Sequence, residues 1–186
     1  MPPDLLDEHD APGRLRPPAT RADLFARLAG LGIATRTIDH APVFTVAESG
    51  AIEREMPGGH TKNLFLADNR GGLYLVIAES HTRVDLKALA GRLGAGRFSF
   101  GKPELLAGTL GVTPGSVTAF AVMNDLDQRV SVVVDTRLMA FETVNCHPLE
   151  NAATTNIARD DLFRFLSATG HAPRVLALGS DADGTP

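Results

Sequence analysis

The first regular pattern in the chain is an apolar stripe with helical spacing. It consists of Leu24, Phe25, Leu28 and Leu31. Thr20 lies just before this stripe and Asp23 follows three residues later, which is the arrangement of an N-terminal capping box. Gly30 and Gly32 are residues of the kind that commonly ends a helix. We therefore predict a first amphipathic helix that begins after Thr20 and buries one face.

Further along the chain, alternating or β-branched runs predict strands, and apolar residues at helical spacing predict helices. Strands are expected at residues 33–40, 61–67, 73–78, 118–123, 130–135, 141–146, 154–157 and 174–178. Further helices are expected at residues 45–56, 85–93, 101–110 and 160–168. Because strands and helices are interspersed without strict alternation, the pattern predicts an α+β or mixed α/β fold. Its expected core is a curved, largely antiparallel sheet surrounded by helices.

The two ends of the chain lack any such pattern. Residues 1–19 contain five prolines and no apolar period, so they are predicted to form a flexible arm. Residues 179–186, GSDADGTP, are small and polar, and they are predicted to form a disordered tail. One folded domain is therefore expected over residues 20–178.

Composition adds the broad class of protein. The 186 residues are 44% hydrophobic and 22% charged, which is typical of a soluble globular domain. The single cysteine, Cys146, rules out an internal disulfide framework. No apolar run approaches the roughly 18 residues of a membrane span, and the acidic N-terminus lacks the basic and apolar regions of a signal peptide. We expect a soluble, cytoplasmic protein.

The distribution of charge bears on whether a nucleic acid is a partner. The formal net charge of −4 comes from the two ends, because residues 1–19 and 179–186 each carry −2. Residues 20–178 hold 16 basic and 16 acidic side chains. A neutral body cannot coat a duplex, but a local basic patch is enough to hold one RNA end.

Common catalytic signatures are absent from the sequence. There is no GxxxxGK[ST] or GxGxxG loop and no HExxH helix, which argues against nucleotide-hydrolysing, dinucleotide and zinc-protease chemistry. The histidines are scattered, so neither a metal site nor a cofactor is expected. A lone cysteine at a strand end, such as Cys146, is usually a small buried hydrophobe rather than a nucleophile.

One segment that stands out is His60-Thr61-Lys62-Asn63-Leu64-Phe65-Leu66. In a strand, Lys62 shares a face with Leu64 and Leu66, whereas Asn63 shares the other face with Phe65 and Ala67. A lysine that begins an apolar face beside a double glycine can point into the mouth of a cavity. Periodicity alone favours the alternative, a lysine at the rim whose ammonium group lies in water.

Two further segments have the composition of ligand-binding loops. Gly115 and Ser116, within Pro114-Gly115-Ser116-Val117-Thr118, allow close approach of a ligand to the backbone and offer N–H donors. An ordinary turn before a strand explains the same residues. His147, at a strand exit before Pro148, is either a polar site residue or a structural histidine.

In this order and at this spacing, these segments resemble the YbaK/proline-tRNA-synthetase-associated domain family. The similarity is greatest to its stand-alone alanyl-tRNA(Pro) deacylases of the ProX or PrdX type, and it covers about residues 20–178. The motifs are Val43-Phe44-Thr45-Val46 with Glu48, Thr61-Lys62-Asn63-Leu64-Phe65-Leu66, Gly115-Ser116-Val117-Thr118 with Asn124-Asp125, and His147-Pro148-Leu149 with Asn151, Thr154 and Thr155.

The resemblance implies a hydrolase that edits mischarged tRNA. A pocket built for proline also admits alanine, because missing methylenes change binding by only about 1–3 kcal/mol. A second site that accepts only small side chains then hydrolyses the error in trans. The implied substrate is the 3′ end of alanyl-tRNA(Pro), with prolyl-tRNA synthetase as a transient partner. The aminoacyl ester is already activated, so the reaction requires no metal or cofactor, and neither DNA nor a membrane is an implied partner.

The resemblance also implies a set of site residues. Lys62 matches the family's essential lysine and would bind the terminal phosphate or the amino-acid end, while Asn63 would orient the ester or the terminal ribose. His147 would hydrogen-bond the substrate or water, as a general base or only as a polar contact. The residues expected to bind substrate are Phe44, Thr45, Val46, Gly115, Ser116, Val117 and Thr118.

Two departures from the family pattern leave alternatives open. Ala119 and Ala121 stand where proline and glycine are expected, which puts the depth of the pocket in doubt. Asn145 and Cys146 precede His147 where more apolar residues are expected. The alternatives are a deacylase for cysteinyl-tRNA(Pro) or another small aminoacyl-tRNA, and a non-catalytic tRNA-binding or aminoacyl-binding regulator with the same fold.

Overall fold

The computed structural model describes residues 16–42 and 46–181. The helices are α1 (Arg21–Gly30), α2 (Val46–Glu55), α3 (Leu86–Leu93), α4 (Pro103–Leu110) and α5 (Arg159–Ala168), with 3-10 helices at Ala119–Asn124 and Thr136–Ala140. The strands are β1 (Thr35–Asp39), β2 (Gly59–Asp68), β3 (Leu73–Glu79), β4 (Thr82–Val84), β5 (Phe98–Phe100), β6 (Val130–Asp135), β7 (Thr143–Cys146), β8 (Ala153–Ala158), β9 (Arg174–Leu176) and β10 (Gly179–Asp181).

A mixed sheet of eight strands forms the centre of the fold. Its order is β1-β8-β7-β2-β3-β6-β9, and β5 adds to β2. Strands β1, β8 and β7 are antiparallel neighbours, as are β2 with β3 and β2 with β5. The pairs β2–β7, β3–β6 and β6–β9 are parallel. This arrangement confirms the predicted mixed α/β class, with both kinds of pairing present.

Each face of the β2–β3–β6 part of the sheet is covered by a separate apolar cluster. The larger cluster includes Phe65 and Ile77 and is completed by α1, α4, α5 and the 3-10 helix Ala119–Asn124. The smaller one includes Leu66 and Ala78 and packs under α3. Because neighbouring residues of β2 enter different clusters, the predicted alternation along this strand is confirmed.

Local capping explains how the first helix begins. The Thr20 side chain accepts a hydrogen bond from the Asp23 backbone N–H, and the Asp23 carboxylate accepts one from the Thr20 N–H in return. This reciprocal pair confirms the predicted capping box. Leu24 and Leu28 from the apolar stripe are then fully buried.

Two sequence predictions of local structure were wrong. Residues 118–123 do not form a strand, because the Thr118 hydroxyl accepts from the Phe120 N–H and starts the 3-10 helix Ala119–Asn124. Residues 119–122 are all buried rather than alternating, so their burial gives no period-two signal. The predicted tail also begins later, because residues 179–181 pair with β4 as strand β10. Strands β4 and β5 were not predicted.

Helices in the described residues reach ten residues at most, and none combines the length and apolar character needed to cross a membrane.

Candidate active site

Strand β2 has a gap along one edge. Its first two residues, Gly59 and His60, pair with β7, and residues 66–68 pair with β5 on the same side. Residues 62–64 lie between these two contacts. Within the described part of the chain, they pair with a strand only on the side of β3. A gap of this kind leaves backbone and side-chain groups accessible in the middle of a sheet, as a site for a ligand requires.

Asn63 presents polar groups toward this gap. The ladder hydrogen bonds from Ser80 N to His60 O (2.8 Å) and from Asp68 N to Gly72 O (2.9 Å) show that even-numbered residues of β2 bond to β3. By the alternation of an antiparallel ladder, the N–H and C=O of Asn63 point to the other edge. Its side-chain Oδ1 is buried without a hydrogen-bond partner, and its Nδ2 makes only a long contact of 3.5 Å to Thr61 Oγ1.

Lys62 lies on the opposite face of β2 from Asn63, as the strand alternation predicts. It is partly buried and pairs in register with Ala78. Burial lowers the pKa of Lys62, while the negative charges of Glu79 and Asp135 act in the opposite direction. The ammonium group is therefore partly desolvated and under the electrostatic influence of two carboxylates, an environment unlike that of a lysine extended into water.

The turn between β3 and β4 carries the first of these carboxylates. Glu79 Oε1 accepts hydrogen bonds from Ser80 Oγ (3.0 Å) and His81 Nδ1 (2.9 Å), and its Oε2 accepts from the His81 backbone N–H (2.9 Å). Burial tends to raise the pKa of Glu79, but these hydrogen bonds outweigh it and lower the pKa. The same contact raises the pKa of His81, and Glu53 of α2 contributes to that increase.

His147 follows directly after β7. Its Nδ1–H donates to the backbone oxygen of Ala153 at 3.2 Å, so the lone pair of the neutral ring lies on Nε2. Burial lowers the pKa of His147, which keeps the imidazole neutral at pH 7. A neutral imidazole whose Nδ1–H is fixed in this way can accept a proton or a hydrogen bond through Nε2.

A threonine joins the His147 strand to β2. Thr61 Oγ1 donates to the backbone oxygen of Asn145 at 2.8 Å and lies 3.6 Å from Cys146 Sγ. Thr61 thus links β2 to the end of β7, and His147 follows directly after that end. Burial raises the pKa of the Cys146 thiol to about 12, although the Thr61 hydrogen bond opposes this. The thiol stays protonated, as expected for a small buried hydrophobe and not for a nucleophile.

The loop of residues 115–118 lies beside the His147 loop. Gly115 has φ of +91°, and a Cβ at this position would lie 3.7 Å from Asn151 Nδ2. A side chain is disfavoured here by the backbone conformation rather than by a clash. Ser116 N–H donates to Thr113 O at 3.0 Å, and Val117 packs against the larger apolar cluster.

Asn145, which departs from the family pattern, has a clear structural role. Its Nδ2 donates to the backbone oxygen of Met56 at 3.2 Å and lies 3.0 Å from His60 Nε2. Its Oδ1 accepts from Asn156 Nδ2 at 2.8 Å. These contacts hold the C-terminal end of α2 on the polar face of β7 and β8. The sequence gives no signal for this network, because its members are distant along the chain.

The remaining predicted residues are only partly covered by the structure. Phe44 and Thr45 lie outside the described residues, and Val46 is the first residue of α2. Glu79 and Asp135 near Lys62 were not predicted, although an acidic residue at the end of the β-branched run Val132-Val133-Val134 is a detectable signal. Within residues 16–42 and 46–181, no three His, Cys, Asp or Glu side chains are grouped to hold a metal ion.

Comparison with known proteins identifies the family. The model of the aminoacyl-tRNA editing domain matches residues 40–165, a range that includes β2, the residue 115–118 loop and His147. The chain belongs to the aminoacyl-tRNA editing domain family. It is 35% identical over 156 residues to the prolyl-tRNA editing protein ProX of Acetoanaerobium sticklandii, which covers 83% of this chain and 95% of that protein.

Other members of the editing-domain family are similar to the same extent. The prolyl-tRNA synthetase associated domain-containing protein 1 of Danio rerio is 36% identical over 160 residues, covering 85% of this chain and 87% of that protein. A crystal structure of a proposed trans-editing enzyme for prolyl-tRNA synthetase superposes with a TM-score of 0.66. It is 20% identical and covers 89% of this chain and 99% of its own, so it supports the fold alone.

Proposed function

We propose that this editing-domain protein hydrolyses the ester of mischarged alanyl-tRNA(Pro) in trans. The observation that carries the proposal is the gap in β2, with Asn63 and Lys62 on the two faces of the strand at this point, in a chain that belongs to the editing family. Similarity to a ProX protein over most of both chains supports prolyl-tRNA as the tRNA. The resemblance of the chain's motifs to the stand-alone deacylases of the family supports action on the released substrate.

The reaction is attack of water on the ester carbonyl carbon. The bond between that carbon and the ribose oxygen breaks, a proton reaches the leaving oxygen, and the products are alanine and tRNA with a free terminal hydroxyl. His147 Nε2 is proposed to accept a hydrogen bond or a proton from the attacking water or from a substrate hydroxyl, because the neutral ring can accept a proton. The ester needs no metal for activation, so activity should survive dialysis against EDTA.

Asn63 has a geometry that limits its role. Its buried Oδ1 is an acceptor and needs a donor from the substrate. The ester carbonyl offers none, whereas the terminal ribose offers a hydroxyl and the alanyl group offers its ammonium N–H. We choose the hydroxyl because Lys62 is assigned to the amino-acid end. We therefore assign Asn63 to the ribose rather than to the ester, with its outward-facing backbone groups contacting the same end of the substrate.

Lys62 is assigned to the amino-acid end of the substrate. Because two carboxylates act on its ammonium group, this part of the site has little net positive charge to attract a phosphate. A partly desolvated ammonium group remains a good donor to an ester oxygen that gains negative charge as water attacks. The backbone N–H groups of Gly115 and Val117 are proposed to hold the substrate from the other side of the gap, because the Ser116 N–H already donates to Thr113 O.

A basic segment supports an RNA partner despite the net negative charge. Residues 83–102 contain five basic side chains and one acidic residue, Asp85. The five are exposed on β4, α3 and the loops that flank β5, and α3 covers the sheet face that carries Lys62. The basic side chains are Arg83, Lys87, Arg92, Arg97 and Lys102. Binding through them should weaken as salt increases.

A panel of aminoacyl-tRNAs tests the proposal. Alanyl, cysteinyl, seryl and prolyl esters on one tRNA(Pro) should be compared for hydrolysis in single turnovers. Fastest hydrolysis of the alanyl ester is expected, and a preference for cysteinyl or seryl would assign a different small substrate. Binding of the tRNA without any acceleration of hydrolysis would contradict catalysis and identify a binding regulator.

Action in the cytoplasm with transient contact to prolyl-tRNA synthetase is part of this proposal, and pull-down of the synthetase with and without tRNA tests that contact.

A further inference from the structure

Asp135 is a fully buried carboxylate at the end of β6, close to Lys62 but not part of the predicted site. Its exposure is 0%. Oδ2 accepts hydrogen bonds from Thr82 Oγ1 at 2.5 Å and from the Glu79 backbone N–H at 3.2 Å, and Oδ1 accepts from the Arg137 N–H at 3.1 Å. One carboxylate thus contacts both ends of the β3–β4 turn.

The sheet register places Asp135 near Lys62. Strand β3 lies between β2 and β6, with Lys62 opposite Ala78 and Ile77 opposite Val134. Ala78 therefore lies between Lys62 and Asp135 and carries only a methyl group. By alternation Asp135 shares the face of Val133, which belongs to the same apolar cluster as Ala78. Two strand spacings separate the two backbones, about 10 Å.

We propose that Asp135, together with Thr82, is a positioning residue that holds the β3–β4 turn, and with it the Glu79 carboxylate whose charge acts on the Lys62 ammonium group. Thr82 is also fully buried, so its hydroxyl has no contact with solvent. The hydroxyl donates its hydrogen bond to Asp135 instead. The second effect of Asp135 is its own negative charge, which favours the protonated form of the half-buried lysine. The catalytic consequence rests on the role proposed above for Lys62, but the electrostatic one does not.

The other charged groups around Lys62 are known from the structure. Glu53 of α2 and His81 belong to the same electrostatic neighbourhood, and His60 precedes Lys62 on the same face of β2. Glu79 and Asp135 are the two charges that act most directly on the lysine, and both favour its protonated form. Removal of the Asp135 charge should therefore lower the pKa of Lys62.

The composition of the chain makes this measurable. It has only three lysines, Lys62, Lys87 and Lys102, so carbon-13 labelling of lysine at Cε gives three NMR signals, assigned through Lys87→Arg and Lys102→Arg. In Asp135→Asn the titration midpoint of Lys62 should fall, because a negative charge that favours the protonated lysine is removed.

A second buried aspartate provides the matched control. Asp125 accepts from the backbone N–H groups of Arg129 and Val130 and from His171 Nε2, and it lies before the opposite end of β6. Asp125→Asn removes the same charge from a similar set of donors. Asp125→Asn should leave the titration midpoint of Lys62 unchanged. If the midpoint also stays unchanged in folded Asp135→Asn, the proposal is overturned.

The hydroxyl of Thr82 gives an independent test that keeps the charge in place. Thr82→Val removes one donor to Asp135 and should lower the single-turnover rate on alanyl-tRNA(Pro) about tenfold, whereas Thr82→Ser should retain the wild-type rate. Thr109→Val is the control, because the buried Thr109 hydroxyl has no partner to lose. Equal rates for Thr82→Val and Thr82→Ser would overturn the positioning role.

These two measurements decide the proposal even where one variant fails to fold. If Asp135→Asn is unfolded, the Thr82 pair of variants decides. If Lys62→Ala keeps normal activity, the catalytic role of Lys62 is wrong, yet the NMR titration without RNA still shows whether Asp135 sets the state of the lysine.

Discussion

The two halves of strand β2 have opposite surroundings. The second half is enclosed by β3 and β5, and its residues Phe65 and Leu66 are 4% and 0% exposed, one in each apolar cluster. The first half has β3 on one side, and on the other side β7 pairs only with Gly59 and His60, so the gap begins beyond them and borders Lys62 and Asn63. The difference shows how the fold holds polar groups rigidly at a gap, because the same strand continues into the core.

The largest effect on activity is expected from removing the lysine in the first half of β2. Lys62→Ala should lower kcat/KM on alanyl-tRNA(Pro) by about 10²–10³-fold, because a donor to the developing negative charge is removed. The folded state should be little affected, since Lys62 contributes to no apolar cluster. Deacylation and thermal unfolding measure the two effects, and Arg36→Ala, at an exposed position of the edge strand β1, is the control. Near-normal turnover of folded Lys62→Ala would exclude the assigned role.

A core substitution in the second half should have the opposite signature. Leu66→Ala creates a cavity in the smaller cluster and should lower the free energy of unfolding by about 2–5 kcal/mol. Urea denaturation measures this change. The rate per folded molecule should stay near that of the wild type, and a loss as large as that of Lys62→Ala would show that the two halves are not separable.

The acid limb of the rate profile should follow His147. Burial lowers the pKa of His147 from its ordinary 6.5, so the ring is neutral at pH 7 and becomes protonated only at more acidic pH. The kcat/KM should therefore fall with a midpoint below 6.5 as the pH drops. The control is His81→Gln, because the pKa of His81 is raised by Glu79. If His81→Gln shifts the midpoint of this acid limb, the limb reports His81 and not His147.

A smaller effect is expected from Asn63→Ala. Loss of one hydrogen bond to the ribose should cost about tenfold in kcat/KM. The stability should be unchanged or slightly higher, because a buried acceptor without a partner is removed. A substrate that lacks the terminal 2′-hydroxyl should be affected less by this substitution than the normal one, and equal losses on both would remove the ribose assignment.

The smallest effect concerns the ends of the chain. Residues 1–15 and 182–186 carry formal charges of −3 and −1, so their removal brings the net charge to zero. Deacylation should be unchanged, and tRNA affinity at low salt should be equal or higher. Trimming further would remove the Ala19 N–H bond to Asn124 Oδ1 and the pairing of β10 with β4. A large loss of activity after the short trim would show that the ends take part in function.

Patterns within a few residues allowed much of the fold to be predicted. The capping box of α1 and the alternation of β2 depend on neighbours in sequence, and both are observed. The 3-10 helix after Thr118 could not be predicted from alternation, because all of its first four residues are buried. Strand β10 depends on the distant residues 82–84 for its hydrogen bonds, so no local pattern predicted this strand.

By itself the sequence determined which residues are candidates for chemistry, since Lys62, Asn63 and His147 lie in motifs that resemble an editing family. Only the tertiary structure decided how they are arranged. It placed Lys62 and Asn63 on opposite faces of β2, left Asn63 at a gap between β7 and β5, and brought the buried Asp135 near the lysine. The physical reason is that hydrogen-bond satisfaction, burial and charge depend on groups from distant parts of the chain, which meet only when the strands pair.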